Sequence, residues 1–372
     1  MIVFDRAAFP RDKACSEYMS PEGVRHLASL GVLDAVEAEG GFPVRGTRVH
    51  APRGSSLTGL FARAGSPFRD TGLSVPRHQL DWVLVNAARR AGAEVRERAT
   101  VVGVVRDRDR LGGLRIREAS GLTREVRARL VIGADGLRSV TARAVGRRRH
   151  GRLRRYALVA HVAGVLDLGD TAELHVSGLG YLGLNPIGGG LANLALVLPR
   201  RRLDGLTRNP APFLFDQLER FPGVHGRVSR DRLVRRVLVT GPFAAWTAPV
   251  TAPGGLLVGD AADFFDPFTG EGICAALRGA ELVEQTMLPW LAGATTHEAG
   301  LGAYRAARRR AFAGKWAVER LIGYAMLAPA LFDRAVDRLE RRGLSHTLIG
   351  VTGDYLPARH VLNPRFLSQV VL

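Results

Sequence analysis

Lysine is almost missing from this chain: of 53 basic residues, all but Lys13 and Lys315 are arginine. Cysteine is equally scarce, and Cys15 and Cys274 stand too far apart in sequence to suggest a disulfide framework. No apolar run approaches the ~18 residues of a membrane-spanning helix. No basic leader with a small-residue cleavage site follows Met1. A cytoplasmic protein is therefore expected. The sequence has no G-x-S-x-G, which excludes a nucleophile elbow, and no Walker loop. His297-Glu298 lacks the second histidine of a zinc helix, and the ten histidines fall at no ligand spacing, so no metal is expected.

What is present describes a globular protein. The 372 residues are 46% apolar and 24% charged, enough for two or three packed units. The net charge of +18 invites a nucleic-acid reading. The arginine excess with 44 glycines instead reads as the bias of GC-rich coding DNA, and no nucleic-acid partner is expected. An anionic ligand or an acidic membrane surface is compatible with the charge.

Along the chain, residues 1–5 (MIVFD) read as a buried strand ending in an acid. Ser20-Pro21 opens a helix, residues 42–76 read as hairpin and loop, and 77–91 form a helix ended by Gly92. RLVIGADG (129–136) is a strand entering a tight turn. Residues 151–240 alternate like an antiparallel sheet with a helix near 211–221. GGLLVGD (254–260) is again a strand ending in an acid, a helix follows from about 270 to 287, and 296–350 is helical. The expected fold is α/β: a Rossmann-like domain (1–46, 72–150, 241–290), an inserted antiparallel sheet domain (47–71, 151–240) and a helical C-terminal region (291–372). Asp5, Asp135 and Asp260 should gather at the carboxyl edge of one sheet, where doubly wound folds bind ligands.

The chemistry of these ends is that of a nucleotide site. Asp5 can take the hydroxyls of a ribose, with Arg6 beside it. Gly133, Asp135 and Gly136 let backbone approach a phosphate or polyol chain. Gly259-Asp260 can hold a further hydroxyl, and Pro267 can line a flat ring. Gly270-Glu271-Gly272-Ile273 opens a helix whose bare amides and positive end suit an electron-rich heterocycle.

These segments resemble the FAD cradle of the flavoprotein superfamily that holds the aromatic-ring hydroxylases, of the p-hydroxybenzoate hydroxylase type, and the geranylgeranyl reductases. VFDR (3–6) with the loop to Gly23 resembles its second strand, GADGLRSVTARAVG (133–146) its Asp-Gly fingerprint, and GDAADFFDPFTGEGICAAL (259–277) its Gly-Asp fingerprint. Arg77, Leu80 and Asp81 resemble its Arg-x-x-Leu-Asp helix start, and Cys15 resembles a loop cysteine that faces flavin and substrate in some reductases; a buried inert thiol is the other reading. In GYLGLNPIGGG (180–190), Tyr181 and Pro186 fit the substrate-sheet motif, while Gly183 and Asn185 replace the Trp and Phe of prenyl reductases.

The family's opening strand and G-x-G-x-x-G turn do not precede Asp5. A misplaced start or a truncation is expected ahead of a genuine loss in a degenerate homologue, and without this stretch FAD binding is expected to be weakened and the sheet to have a hole. The resemblance implies FAD, with NAD(P)H docking transiently as electron donor, and an oxidoreductase acting on a hydrophobic or aromatic small molecule. Hydroxylation is expected first, reduction of a C=C bond second, and a non-catalytic homologue third. The flavin would carry the redox step, leaving Cys15 and Tyr181 as candidate catalytic side chains. The arginine-rich tail, with Leu321, Ile322, Tyr324, Met326 and Leu327, is expected to pack on the sheet rather than lie on a membrane.

Overall fold

The computed structural model describes residues 1–371. Strand β1 (Ile2–Phe4) is followed by α1 (Pro21–Ser29), where Pro21 occupies the first turn and loses no intrahelical hydrogen bond. Two further strands, β2 (Gly46–His50) and β3 (Ser56–Leu60), precede α2 (Arg77–Arg90) and β4 (Glu94–Arg96). After β5 (Val131–Gly133) the Asp-Gly turn enters the short α3 (Val140–Val145). The middle of the chain supplies β6 (Arg155–Ala163), β7 (Ala172–Val176), β8 (Tyr181–Pro186), β9 (Leu191–Pro199), α4 (Pro210–Leu218) and β10 (Leu238–Thr240). Strand β11 (Gly255–Leu257) leads to α5 (Gly272–Leu291), α6 (His297–Ala325), α7 (Pro329–Arg341), α8 (Ser345–Thr352) and α9 (Pro364–Val371).

The largest element is a seven-stranded sheet in the order β10-β6-β9-β8-β7-β2-β3. All its pairs are antiparallel except β7 with β2. The segment 42–76, read from sequence as hairpin and loop, therefore contributes two strands that extend this sheet past β7. Strict alternation divides its faces. Leu158, Ala160, Val162, Leu182, Leu184, Leu194 and Leu196 point to a back face closed by Phe213, Leu214 and Leu218 of α4. Ala157, Val159, Tyr181 and Val197 point to a front face, covered by Val318 of α6, Phe332 and Val336 of α7, and Val351 of α8.

The Rossmann-like part consists of two parallel pieces rather than one sheet. β1 pairs with β4 in the register Ile2↔Glu94, and β5 pairs with β11 in the register Val131↔Gly255. No hydrogen bond joins the two pieces, which corrects the single carboxyl edge expected from the sequence. β1 pairs with β4 alone, whereas β11 lies between β5 and Thr251–Ala252, and the break between the two pieces matches the hole expected in the sheet; Ile2 and Ile132 are left at 39% and 42% exposure. Side chains close the gap instead. Arg148 donates to the Asp260, Ala261 and Leu137 carbonyls, tying the Asp-Gly turn to the Gly-Asp turn. Tyr304 of α6 donates to the Leu257 carbonyl at 2.6 Å and anchors the helical tail to β11.

The back face sets a clear test. Leu196 is fully buried there. Leu196→Ala should lower unfolding free energy by about 2–5 kcal/mol, read from the urea midpoint.

Candidate functional site

Of the sequence-predicted residues, Gly259, Asp260, Pro267 and Gly272 line one recess, and the others are placed around it by their own partners or away from it. Asp5 accepts from the Ala7 amide at 2.8 Å and pairs with Arg11 at 3.4 Å. Arg11 also reaches Asp81 at 3.0 Å, and Arg77 holds the same carboxylate in a fork of 2.8–2.9 Å bonds. Burial opposes the charge on Arg77, but Cys15 and Asp81 outweigh it and keep the guanidinium firmly protonated. This relay runs from β1 to Asp260, on which Lys13 and Arg77 both act.

Asp260 is half-buried at the end of β11, and no described residue donates a hydrogen bond to its carboxylate. Burial pushes that carboxyl up, while Lys13 and Arg77 pull it down. An acceptor held in a cationic recess without a donor fits a hydroxyl-bearing ligand. Nearby, α5 begins at Gly272 with no side-chain cap, so its first amides and positive dipole end face outward. Beyond Gly272 the space is open to Phe264 at 3.4 Å, and nothing lies within 4 Å of the position a Cβ would take at Gly136. Gly270 adopts φ +74°, and a Cβ there would meet Tyr18 at 2.7 Å. These features fit FAD: Asp260, Pro267, Gly270 and the Gly272 amide suit the flavin and its polyol, Asp5 suits a ribose, and Gly136 suits close backbone approach.

Other predicted residues have different work. Asp135 accepts from the Val140 amide at 2.7 Å and the Thr141 amide at 3.2 Å, and from the Ser139 and Thr141 hydroxyls, so its carboxylate builds the start of α3. Arg6 is exposed to solvent. The Ile273 side chain packs with Leu27 and Leu80 in a separate core, which leaves only its amide for a cofactor. Tyr181 donates its hydroxyl to Asp266, which also accepts from Arg155 at 2.8 Å; it positions the loop before α5. Cys15 is half-buried, and its Sγ accepts from the Glu17 amide at 3.3 Å. Ser16 next to it donates to the Gly270 carbonyl at 3.3 Å, which sets this loop against the mouth of α5.

Sequence reasoning missed three groups. Glu17, buried and at φ +59°, accepts from the Arg77 amide at 3.0 Å and bonds His161, while Asn193 donates to the Cys15 and Ser16 carbonyls. In the recess of about 40 Å³ that Gly259, Asp260, Pro267 and Gly272 line, Arg308, Lys315 and Glu319 of α6 stand opposite, and sequence reasoning did not bring them there. Burial pushes Glu271 and Glu319 up to about 8, with Lys315 acting against it. The only sequence signal here was rarity: both lysines act on residues of this one region. Finally, the fold brings His50, Glu173 and His175 within 4.8 Å of one another, although their spacing gave no hint. Arg227 and His175 take up the Glu173 carboxylate, and the two histidine rings stack at 7°, so their lone pairs do not converge on a common ion.

This arrangement, an uncapped glycine-flanked helix start joined to a large, mostly antiparallel sheet, fits the flavin-dependent oxidoreductases. The chain belongs to the FAD binding domain family, whose model matches residues 1–204. It is 28% identical over 246 residues to the digeranylgeranylglycerophospholipid reductase of Thermoplasma volcanium, covering 63% of this chain and 59% of that protein. It is likewise 28% identical over 307 residues to the menaquinone reductase of Mycolicibacterium smegmatis, covering 77% of this chain and 70% of that one. The chain thus spans about three-fifths of the length of the first of these relatives. In fold it is similar to the myxobacterial chondrochloren halogenase CndH, at a TM-score of 0.80 and 22% identity over 100% of this chain and 89% of that one.

Two expectations follow. Asp260→Ala should lower FAD occupancy about tenfold or more through loss of a buried charged acceptor, measured from flavin absorbance per chain after reconstitution. Glu271 binds its proton more tightly folded than unfolded, where the ordinary value is 4.5. Its contribution to stability is therefore full below about pH 4.5 and falls as pH rises towards about 8. Thermal melts from pH 5 to 9 should show wild type losing more stability than Glu271→Gln.

Proposed function

We propose that this chain is an FAD-dependent oxidoreductase that reduces a C=C bond of an apolar, unsaturated substrate lying on the front face of the seven-stranded sheet. One observation carries the reading. Gly183 and Ala195 are cross-strand partners in the middle of that sheet, yet both are only half-buried between fully buried neighbours. A Cβ at Gly183 would meet nothing nearer than 3.9 Å, so the sheet has an opening where a bulky side chain could stand. Phe264 and Phe268 border the same apolar cluster. The names of the two curated relatives, both reductases, support the reaction class.

FAD, when bound, supplies the two-electron chemistry that no side chain in this set can provide. The residues do the rest. The α5 amides stabilise negative charge at their end of the recess. Glycine at 270 and 272 allows close approach, and the α6–α7 cover excludes water. Saturating a double bond needs a proton besides the hydride, and we assign it to the Cys15 thiol, whose loop is held against Gly270 by Ser16. We propose NAD(P)H as the electron donor.

Hydroxylation of an aromatic substrate is the second reading, favoured by the lining of the opening: Gly183 and Ala195 leave room against the strands for a flat ring, with Leu174, Phe264 and Phe268 in the same apolar cluster. Oxygen separates the two. Protein reduced by dithionite without oxygen should be reoxidised by a geranylgeranyl lipid or menaquinone; a strict need for oxygen would replace reduction with hydroxylation. Cys15→Ser should slow the anaerobic step about 10²–10⁴-fold. Gly183→Leu should abolish turnover while sparing both flavin content and the melting temperature.

A further inference from the structure

The end of α6, the following turn and the start of α7 form a surface unlike the rest of the molecule. Leu321, Tyr324, Leu327 and Leu331 are 48%, 46%, 56% and 47% exposed. Their spacing places them along one outward side, and residues 321–332 contain no charge. The opposite side is fixed. Val318, Met326, Phe332 and Val336 are buried in the front-face core, and Gly323 packs so closely that a Cβ would meet Phe265 at 2.9 Å and Leu153 at 3.5 Å. The segment cannot roll over to hide its leucines, because that would expose the four core residues. The sequence-based expectation of tail-to-sheet packing therefore holds for Ile322 and Met326 and fails for Leu321, Tyr324 and Leu327.

Charge selects the occupant of this surface. Arg320 and Arg334 stand exposed at the two ends of the apolar run. Arg152 and Arg154, also exposed, flank the Leu153 that touches Gly323. None of these four arginines has an acidic partner among the described residues. An apolar tip with an interfacial tyrosine and a rim of guanidinium groups without acidic partners, of which Arg320 also lies over the Phe265 ring at 6.0 Å, matches a layer that is hydrocarbon within and anionic at its surface. A soluble protein partner would instead need acids facing the rim and a pocket for the leucines.

We propose that the α6–α7 tip is a docking surface for an anionic lipid bilayer, with Leu321, Tyr324, Leu327 and Leu331 entering the headgroup region and Arg152, Arg154, Arg320 and Arg334 contacting lipid phosphates. This surface forms the outside of the front-face cover, so docking would set the substrate opening close to the membrane. The proposal does not depend on the cofactor or the reaction.

Sedimentation with vesicles tests it. The full chain should co-sediment with phosphatidylglycerol–phosphatidylcholine vesicles and bind pure phosphatidylcholine about tenfold more weakly or worse. The triple variant Leu321→Ser, Leu327→Ser, Leu331→Ser should lose about tenfold or more of the binding, with an unchanged melting temperature because the replaced side chains are exposed. Arg320→Ser with Arg334→Ser should weaken binding and reduce its salt dependence. Absence of the wild type from anionic vesicles, or equal binding by the triple variant, would overturn the proposal. So would ultracentrifugation showing a wild-type dimer that the triple variant dissolves without any loss of vesicle binding, since the tip would then be a contact between copies.

Discussion

Asp266 holds the two halves of this protein together. Its buried carboxylate accepts from Arg155 on β6 and Tyr181 on β8, so one residue of the loop before α5 is fixed to two strands of the large sheet. Burial pushes this carboxyl up, and Arg155 holds it down. A charge pair so placed is costly to break, because the surviving partner would remain buried without compensation. The angle between sheet and helix, and hence the distance from Gly270 to the opening at Gly183, follows from this joint. Arg148 does similar work at the other end of the loop through three backbone carbonyls.

Parts of this arrangement were legible in the residues alone. GDAADFFDPFTGEG shows an acid after a buried strand, a proline and two glycines before a helix, and each local preference agrees with the observed turn. The alternation within 151–240 announced the antiparallel sheet, and its strands do alternate between two buried faces. The break between the parallel strands was legible as the expected hole in the sheet; which neighbour each strand takes was not, because pairing is a long-range choice that three-residue strands do not encode. Nor was the fate of Asp135: a strand-end acid followed by Ser139 and Thr141 can hold a ligand or cap a helix, and only coordinates show the cap. Glu17, His161 and Asn193 were invisible because each lies on a different element and sits among apolar neighbours.

The site divides its charges unevenly. Arg77 and Asp81 form a satisfied pair, as do Lys315 and Asp354. Asp260 has no donor, Glu271 leaves Oε1 unpartnered, and Arg308 leaves Nε and Nη1 unpartnered beside the recess. Unmet hydrogen-bonding capacity is thus present at the start of α5, alongside further unpartnered atoms at Gln79, Asn193, Arg235 and His297.

The near-absence of lysine has a practical side. Lys13 is exposed beside Asp260, whereas Lys315 is enclosed and locked to Asp354. An acylating reagent therefore meets a single accessible side-chain amine on the whole folded surface, besides the terminal one. A dye or crosslinker attached there would sit at the rim of the recess and report directly on whatever enters it.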